Sequence, residues 1–137
     1  MKEPIWIDER DALGLHGKSL VTHGGAGGIR DIGLLQSALS RPQQQLAYGE
    51  QPNLISMAAA YTAGIIQNHP FIDGNKRVGF LAGVLFLELN GYRFGATEEE
   101  AAQAVLDLAS GALDEIGFAA FLERNSTKPK KGQEKNA

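Results

Sequence analysis

The chain has 137 residues, no cysteine, 43% hydrophobic and 21% charged residues, and a formal net charge of −3. That length suits a single domain, and the apolar content excludes intrinsic disorder as the main state. Without a thiol there is no disulfide framework, no cysteine-ligated zinc and no cysteine nucleophile. No apolar stretch approaches the ~20 residues that span a bilayer, since the longest, Val78 to Leu87, runs straight into Glu88. Met1 to Trp6 lacks the apolar core of a signal peptide. The expectation is a soluble, cytoplasmic, single-domain protein with no membrane partner.

The elements read as helices punctuated by Gly and Pro. Asp8 is a candidate cap for a first helix reaching His23, with Leu13, His16 and Leu20 on one face. Gly24 to Gly28 must be a loop. Asp31 to Leu39 predicts a short second helix stopped near Arg41-Pro42, followed by an exposed loop or short hairpin to Pro52. Leu54 to Gln67 is strongly periodic, and its run Ala58 to Ala60 would let a neighbouring helix approach closely. The next helix begins near Asn75 and stops at Asn90-Gly91. Its apolar residues cover most of its circumference, which predicts the buried central helix at about 75–90. Thr97 to Glu100 is a capping box opening a helix through Leu108. Asp114 to Arg124 gives the last helix, with Ile116, Phe118, Phe121 and Leu122 as its core residues. Strand signals are confined to Ile5–Ile7 and Tyr92–Phe94. The fold class is all-α, a bundle of about six helices.

Between the two strongest helices, His69-Pro70-Phe71-Ile72-Asp73-Gly74-Asn75-Lys76-Arg77 gathers an imidazole, a carboxylate, an amide, an ammonium and a guanidinium. The free N–H groups of a helix start favour anions. Lys76 and Arg77 in that first turn oppose the helix dipole, by about 0.3–1 kcal/mol each when exposed, and a bound polyanion resolves the conflict. His69 can take a proton from an attacking hydroxyl at neutral pH. Asp73 can hold a divalent cation bridging phosphates or orient the base. Asn75 can donate to phosphate oxygens, Lys76 and Arg77 can neutralise charge developing in transfer, and Gly74 lets the backbone approach the anion.

This run resembles the signature of the Fic/Doc superfamily, H-x-F-x-D/N-A/G-N-G/K-R. Gly28–Leu35, Ser37–Pro42, Ala47–Gly49 and Leu89–Tyr92 resemble its death-on-curing (Doc) branch, the toxins of type II toxin–antitoxin modules. The adenylylating members read H-P-F-x-D/E-G-N-G-R-x-x-R. Here Lys76 stands at the second Gly and Phe80 at the final Arg. The resemblance implies a kinase-like phosphotransferase that moves the γ-phosphate of ATP to a Ser/Thr hydroxyl of a translation factor such as elongation factor Tu, halting protein synthesis. On that implication His69, Asp73, Lys76 and Arg77 are catalytic, with Asp73 supporting a Mg²⁺ ion or the base. Gly74, Asn75, Lys76 and Arg77 hold the phosphates, and Phe71 anchors the loop. Self-inhibited relatives carry S/T-x-x-x-E-G/N, but no Ser or Thr here precedes a Glu by four residues. Inhibition is then expected from a separate Phd-like antitoxin, with DNA reached only through that partner.

Three alternatives remain open on sequence: AMP transfer by the same fold, a non-catalytic toxin relic acting through its antitoxin, and a metal-dependent hydrolase using His16, His23 and His69. The histidines lack ligand spacing. Gly24–Gly28 matches neither a P-loop nor G-x-G-x-x-G. Trp6 and the tyrosines read as packing residues. The domain is expected to span 1–125, followed by a basic, disordered tail at 126–137, where Lys128, Lys130, Lys131 and Lys135 face only Glu134.

Overall fold

The computed structural model describes residues 2–129. Among them are six helices and one two-stranded ribbon. The helices are α1 (Glu9–His23), α2 (Ile32–Tyr48), α3 (Leu54–Asn68), α4 (Asn75–Leu89), α5 (Glu98–Ser110) and α6 (Glu115–Arg124). The strands β1 (Arg93–Phe94) and β2 (Ser126–Thr127) pair antiparallel, Arg93 with Thr127 and Phe94 with Ser126. The architecture is all-α, as the periodicity predicts. No helix of the described residues is long and apolar enough to cross a membrane.

Local signals set the helix starts. Asp8, Asp31, Asn53, Thr97 and Asp114 each accept a first-turn N–H in their side chains, and α1 and α5 close full capping boxes with Asp11 and Glu100. The core lies where α3 packs against α2, α4, α5 and α6. Its largest buried side chains include Tyr61, Phe71, Phe86 and Phe118. Trp6 packs beside them with its ring stacked on Phe86 at 5.9 Å.

Several expectations are corrected. The central helix is α3, buried from Met57 through Ile65, rather than the helix at 75–90. The small residues of α3 admit neighbours on every side. On α4, Phe80, Leu81, Val84 and Leu85 are only half-buried and Leu89 is 41% exposed. The second helix does not stop at Pro42: it runs on to Tyr48, so the segment after Pro42 is helical and not a loop or hairpin. A helical proline forfeits a backbone hydrogen bond, but Pro42 and Leu39 are buried. Arg41 of the same turn donates to the Ala60 carbonyl (3.1 Å) and pairs with Glu115 (2.7 Å). These tertiary contacts outweigh the local penalty.

Of the expected face Leu13, His16 and Leu20, only His16 is buried; its buried companions on α1 are Ala12 and Ser19, one residue before each leucine. Ile116 is 81% exposed, because α6 turns Phe118, Phe121 and Leu122 inward and Ile116 lies on the opposite side of the helix. Tyr48, 86% exposed, is not a packing residue. Ile5–Ile7 forms no strand. Its backbone is held by side chains instead: Ile5 exchanges two hydrogen bonds with the Asn90 amide, and the Ile7 N–H donates to the Tyr61 hydroxyl (2.9 Å). The expected boundary at 125/126 falls beside β2, and residues 130–137 of the expected tail lie outside the described residues.

Candidate active site

The motif loop joins α3 to α4, and each end is fixed by a residue that the pattern alone does not explain. His69 caps α3 in the left-handed conformation, φ 51° and ψ 54°, and is the one non-glycine with positive φ among the described residues. The chain then turns inward, so that Phe71 is fully buried and Ile72 returns toward solvent. The edge of the loop is zipped to the segment after α1. Arg30 and Asp31 donate their N–H groups to the Pro70 carbonyl, and the Ile72 N–H donates to Gly28. Ile29 and Phe71 form an antiparallel bridge.

Asn75 occupies the first position of α4 and is 4% exposed. Its side-chain carbonyl accepts from the Phe71 N–H and its amide donates to the Phe71 carbonyl, both at 2.9 Å. The expected phosphate donor is therefore first of all a clasp that folds the loop. His16, on α1, supports the same loop from below. Its ring stacks on Phe71 with centroids 4.0 Å apart, and its Nε2–H donates to the Asp73 carbonyl (2.9 Å). A carbonyl only accepts, so Nε2 carries the proton.

Asp73 points its carboxylate across the loop toward the glycines. Oδ1 accepts from the Gly74 N–H (2.9 Å) and Oδ2 from the Ala26 N–H (3.3 Å). A Cβ on Gly25 would lie 2.7 Å from Oδ2, so only glycine lets that backbone come so close. Asp73 does not cap α4. The helix begins at Gly74 (φ 84°) with no side-chain cap and no acidic residue in its first turn, unlike the other five helices in its lack of a cap. Lys76 and Arg77 are exposed beside these uncapped N–H groups. Arg77 donates through Nη1 to the buried Ser19 hydroxyl (3.2 Å).

All six expected site residues, His69, Asp73, Gly74, Asn75, Lys76 and Arg77, line one cavity of about 470 Å³. That is within the range of small-molecule sites, about 300–1,000 Å³. Its remaining wall is His23, Gly24, Gly25, Ile66 and Ala109. Apart from His23, which the hydrolase alternative groups with His69, nothing in the sequence marks these residues for the site, nor Ser19 and Arg30. They come from α1, α2's approach, α3 and α5, and no local pattern marks them. The hydrolase alternative loses its ligand set: His16 is spent on the loop backbone, and no group of three or more His, Cys, Asp or Glu among the described residues can hold a metal ion. What the arrangement offers is a cationic, uncapped helix start for a polyanion, with a carboxylate held by backbone N–H groups and an exposed imidazole on its rim.

Comparison with known proteins agrees with this geometry. The model of the Fic/DOC family matches residues 6–87. The chain is 35% identical to "Toxin Doc" of Mycolicibacterium smegmatis, over 84% of this chain and 94% of that protein. It is 29% identical to "Protein kinase doc" of Escherichia phage P1, over 86% of this chain and 93% of that protein.

Proposed function

The chain belongs to the Fic/DOC family, in its Doc toxin branch, and from that premise we propose that it transfers the γ-phosphate of ATP to a Ser/Thr hydroxyl of an elongation-factor-Tu-like protein. The observation that carries this reading is the uncapped start of α4, flanked by Lys76 and Arg77, opening into the cavity that His69 and Asp73 border. The phage relative is itself named a protein kinase.

His69 takes the proton of the attacking hydroxyl, whose oxygen bonds the γ-phosphorus while the bond to the bridging oxygen breaks and ADP leaves. The α4 N–H groups, Lys76 and Arg77 face the negative charge of the transferring group, and Ser19 holds Arg77 in place. Among the described residues Asp73 is the only carboxylate lining the cavity. Such a donor set fits a Mg²⁺ ion carried in by the triphosphate, since magnesium is usually bound through one or two carboxylates plus substrate phosphates. Held there, such an ion would supply positive charge against the triphosphate.

Two residues favour γ- over α-phosphate transfer. Lys76 puts bulk and charge where adenylylating relatives have Gly. Phe80, where they have a second Arg, packs edge-on against Phe94 with centroids 5.7 Å apart and offers no phosphate contact. With no inhibitory Ser/Thr–Glu motif in the chain, control falls to a Phd-like antitoxin, and with it any contact with DNA. The protein acts in the cytoplasm, where the translation machinery is.

Expression in a bacterial host tests this. The wild type arrests growth and the cognate antitoxin relieves the arrest. His69→Ala, folded by circular dichroism, loses roughly 10²–10⁴-fold in transfer rate and is no longer toxic. A folded His69→Ala variant as toxic as the wild type would remove His69 as the base.

A further inference from the structure

We infer that Arg30, outside the motif, is a positioning residue that holds His69 in its working orientation. The inference rests on the proposed role of His69 as the base. Arg30 takes three successive carbonyls, the last of α3 and the first two of the motif loop. Its guanidinium donates to Asn68 (2.8 Å) through Nη2 and to His69 (2.6 Å) through Nε, and its backbone N–H donates to Pro70 (2.6 Å). These carbonyls frame the two peptide groups around His69.

The conformation so held is one the chain would not choose. A left-handed φ of 51° is unfavourable for any residue with a Cβ, and the residue before a proline is biased toward extended backbone. His69 is subject to both biases. Among the described residues its hydrogen bonds run through its backbone alone: the N–H donates to Ile65 and the carbonyl accepts from Arg30. The imidazole has no hydrogen-bond partner among the described residues, so what the structure holds is the direction of the Cα–Cβ bond from which the ring swings, and that direction is set by the backbone. Arg30 also places a cation against the carbonyl end of α3, where the helix dipole is negative. Rotating His69 toward the extended region would move its carbonyl away from the guanidinium and break the 2.6 Å contact. Arg30 therefore couples the position of the loop after α1 to the aim of the base.

The test compares Arg30→Ala and Arg30→Lys with the wild type in two measurements. The first is the three-bond HN–Hα coupling of His69 by NMR, without ATP or target, which reports its φ directly. The second is kcat and KM for ATP in phosphate transfer. Arg30→Ala is expected to shift the His69 coupling away from its wild-type value and to lower kcat by about 10- to 100-fold, with KM for ATP within about twofold. Arg30→Lys, which keeps a single-point donor, is expected to recover part of both. Wild-type coupling at His69 in Arg30→Ala, or wild-type kcat in that variant, overturns the inference. Should the wild type transfer no phosphate at all, the proposed function fails, while the coupling still decides whether Arg30 sets the His69 backbone.

Discussion

Replacing Asn75 by Ala separates the two roles an asparagine can have at the start of α4. As a phosphate ligand alone, it would be dispensable to the fold. Instead its amide makes both hydrogen bonds of the Phe71 peptide groups, and Phe71 is fully buried. The truncation leaves a buried N–H and a buried carbonyl without partners, each costing about 1–3 kcal/mol. The better helix propensity of Ala returns about 0.5 kcal/mol, for a net loss near 3 kcal/mol. For a chain of this size that corresponds to a fall in melting temperature of roughly 12 °C. Urea titration gives the free energy, and a thermal melt followed by circular dichroism gives the second reading. A change under about 0.5 kcal/mol, the usual range of an inert surface substitution, would refute the clasp and return Asn75 to the phosphate.

Three further outcomes are expected. Gly83→Ala on α4 would place a Cβ 2.5 Å from the Thr62 hydroxyl and 2.9 Å from the Ala58 carbonyl. Overpacking of about 1–3 kcal/mol outweighs the helix-propensity gain of up to about 1 kcal/mol, and urea midpoints should fall. Burial pushes the Tyr61 hydroxyl up to about 12 from 10.0. Because the folded state keeps its proton longer than the unfolded chain does, this stability is intact below pH 10 and is lost as the pH rises toward 12, by about 2–3 kcal/mol at most. Denaturant titrations at several pH values should show that decline, and Tyr61→Phe should flatten it. Lys76→Gly is expected to lose most γ-phosphate transfer, through a contact on the order of 3 kcal/mol, without gaining AMP transfer. Appearance of AMP transfer in that variant would contradict the reading of Phe80.

The sequence made most helix starts legible because capping is local: Asp8, Thr97 and Asp114 identify themselves within four residues. Pro42 misled for the same reason. Its local meaning is a helix stop, and what overrides it is the distant pair of Arg41 contacts with Ala60 and Glu115. The ribbon partner of Arg93–Phe94 lies at Ser126–Thr127, beyond two intervening helices, and two-residue strands leave almost no periodicity to read. The site shows the same division. Six of its residues fall within one nine-residue stretch, His69 to Arg77, and are legible as chemistry, whereas Ser19 and Arg30 reach it only through folding. Asn75 was legible as an amide at a helix start, but not as an amide spent on Phe71. Residue type fixes what a group can bond to, and the fold decides which bond it makes.

The most direct measurement incubates the purified protein with elongation factor Tu, Mg²⁺ and ATP labelled on either the γ- or the α-phosphate. Transfer of γ-label to a Ser or Thr of the target, with release of ADP and loss of transfer in His69→Ala, is the expected result. Transfer of α-label with release of pyrophosphate would contradict the kinase assignment.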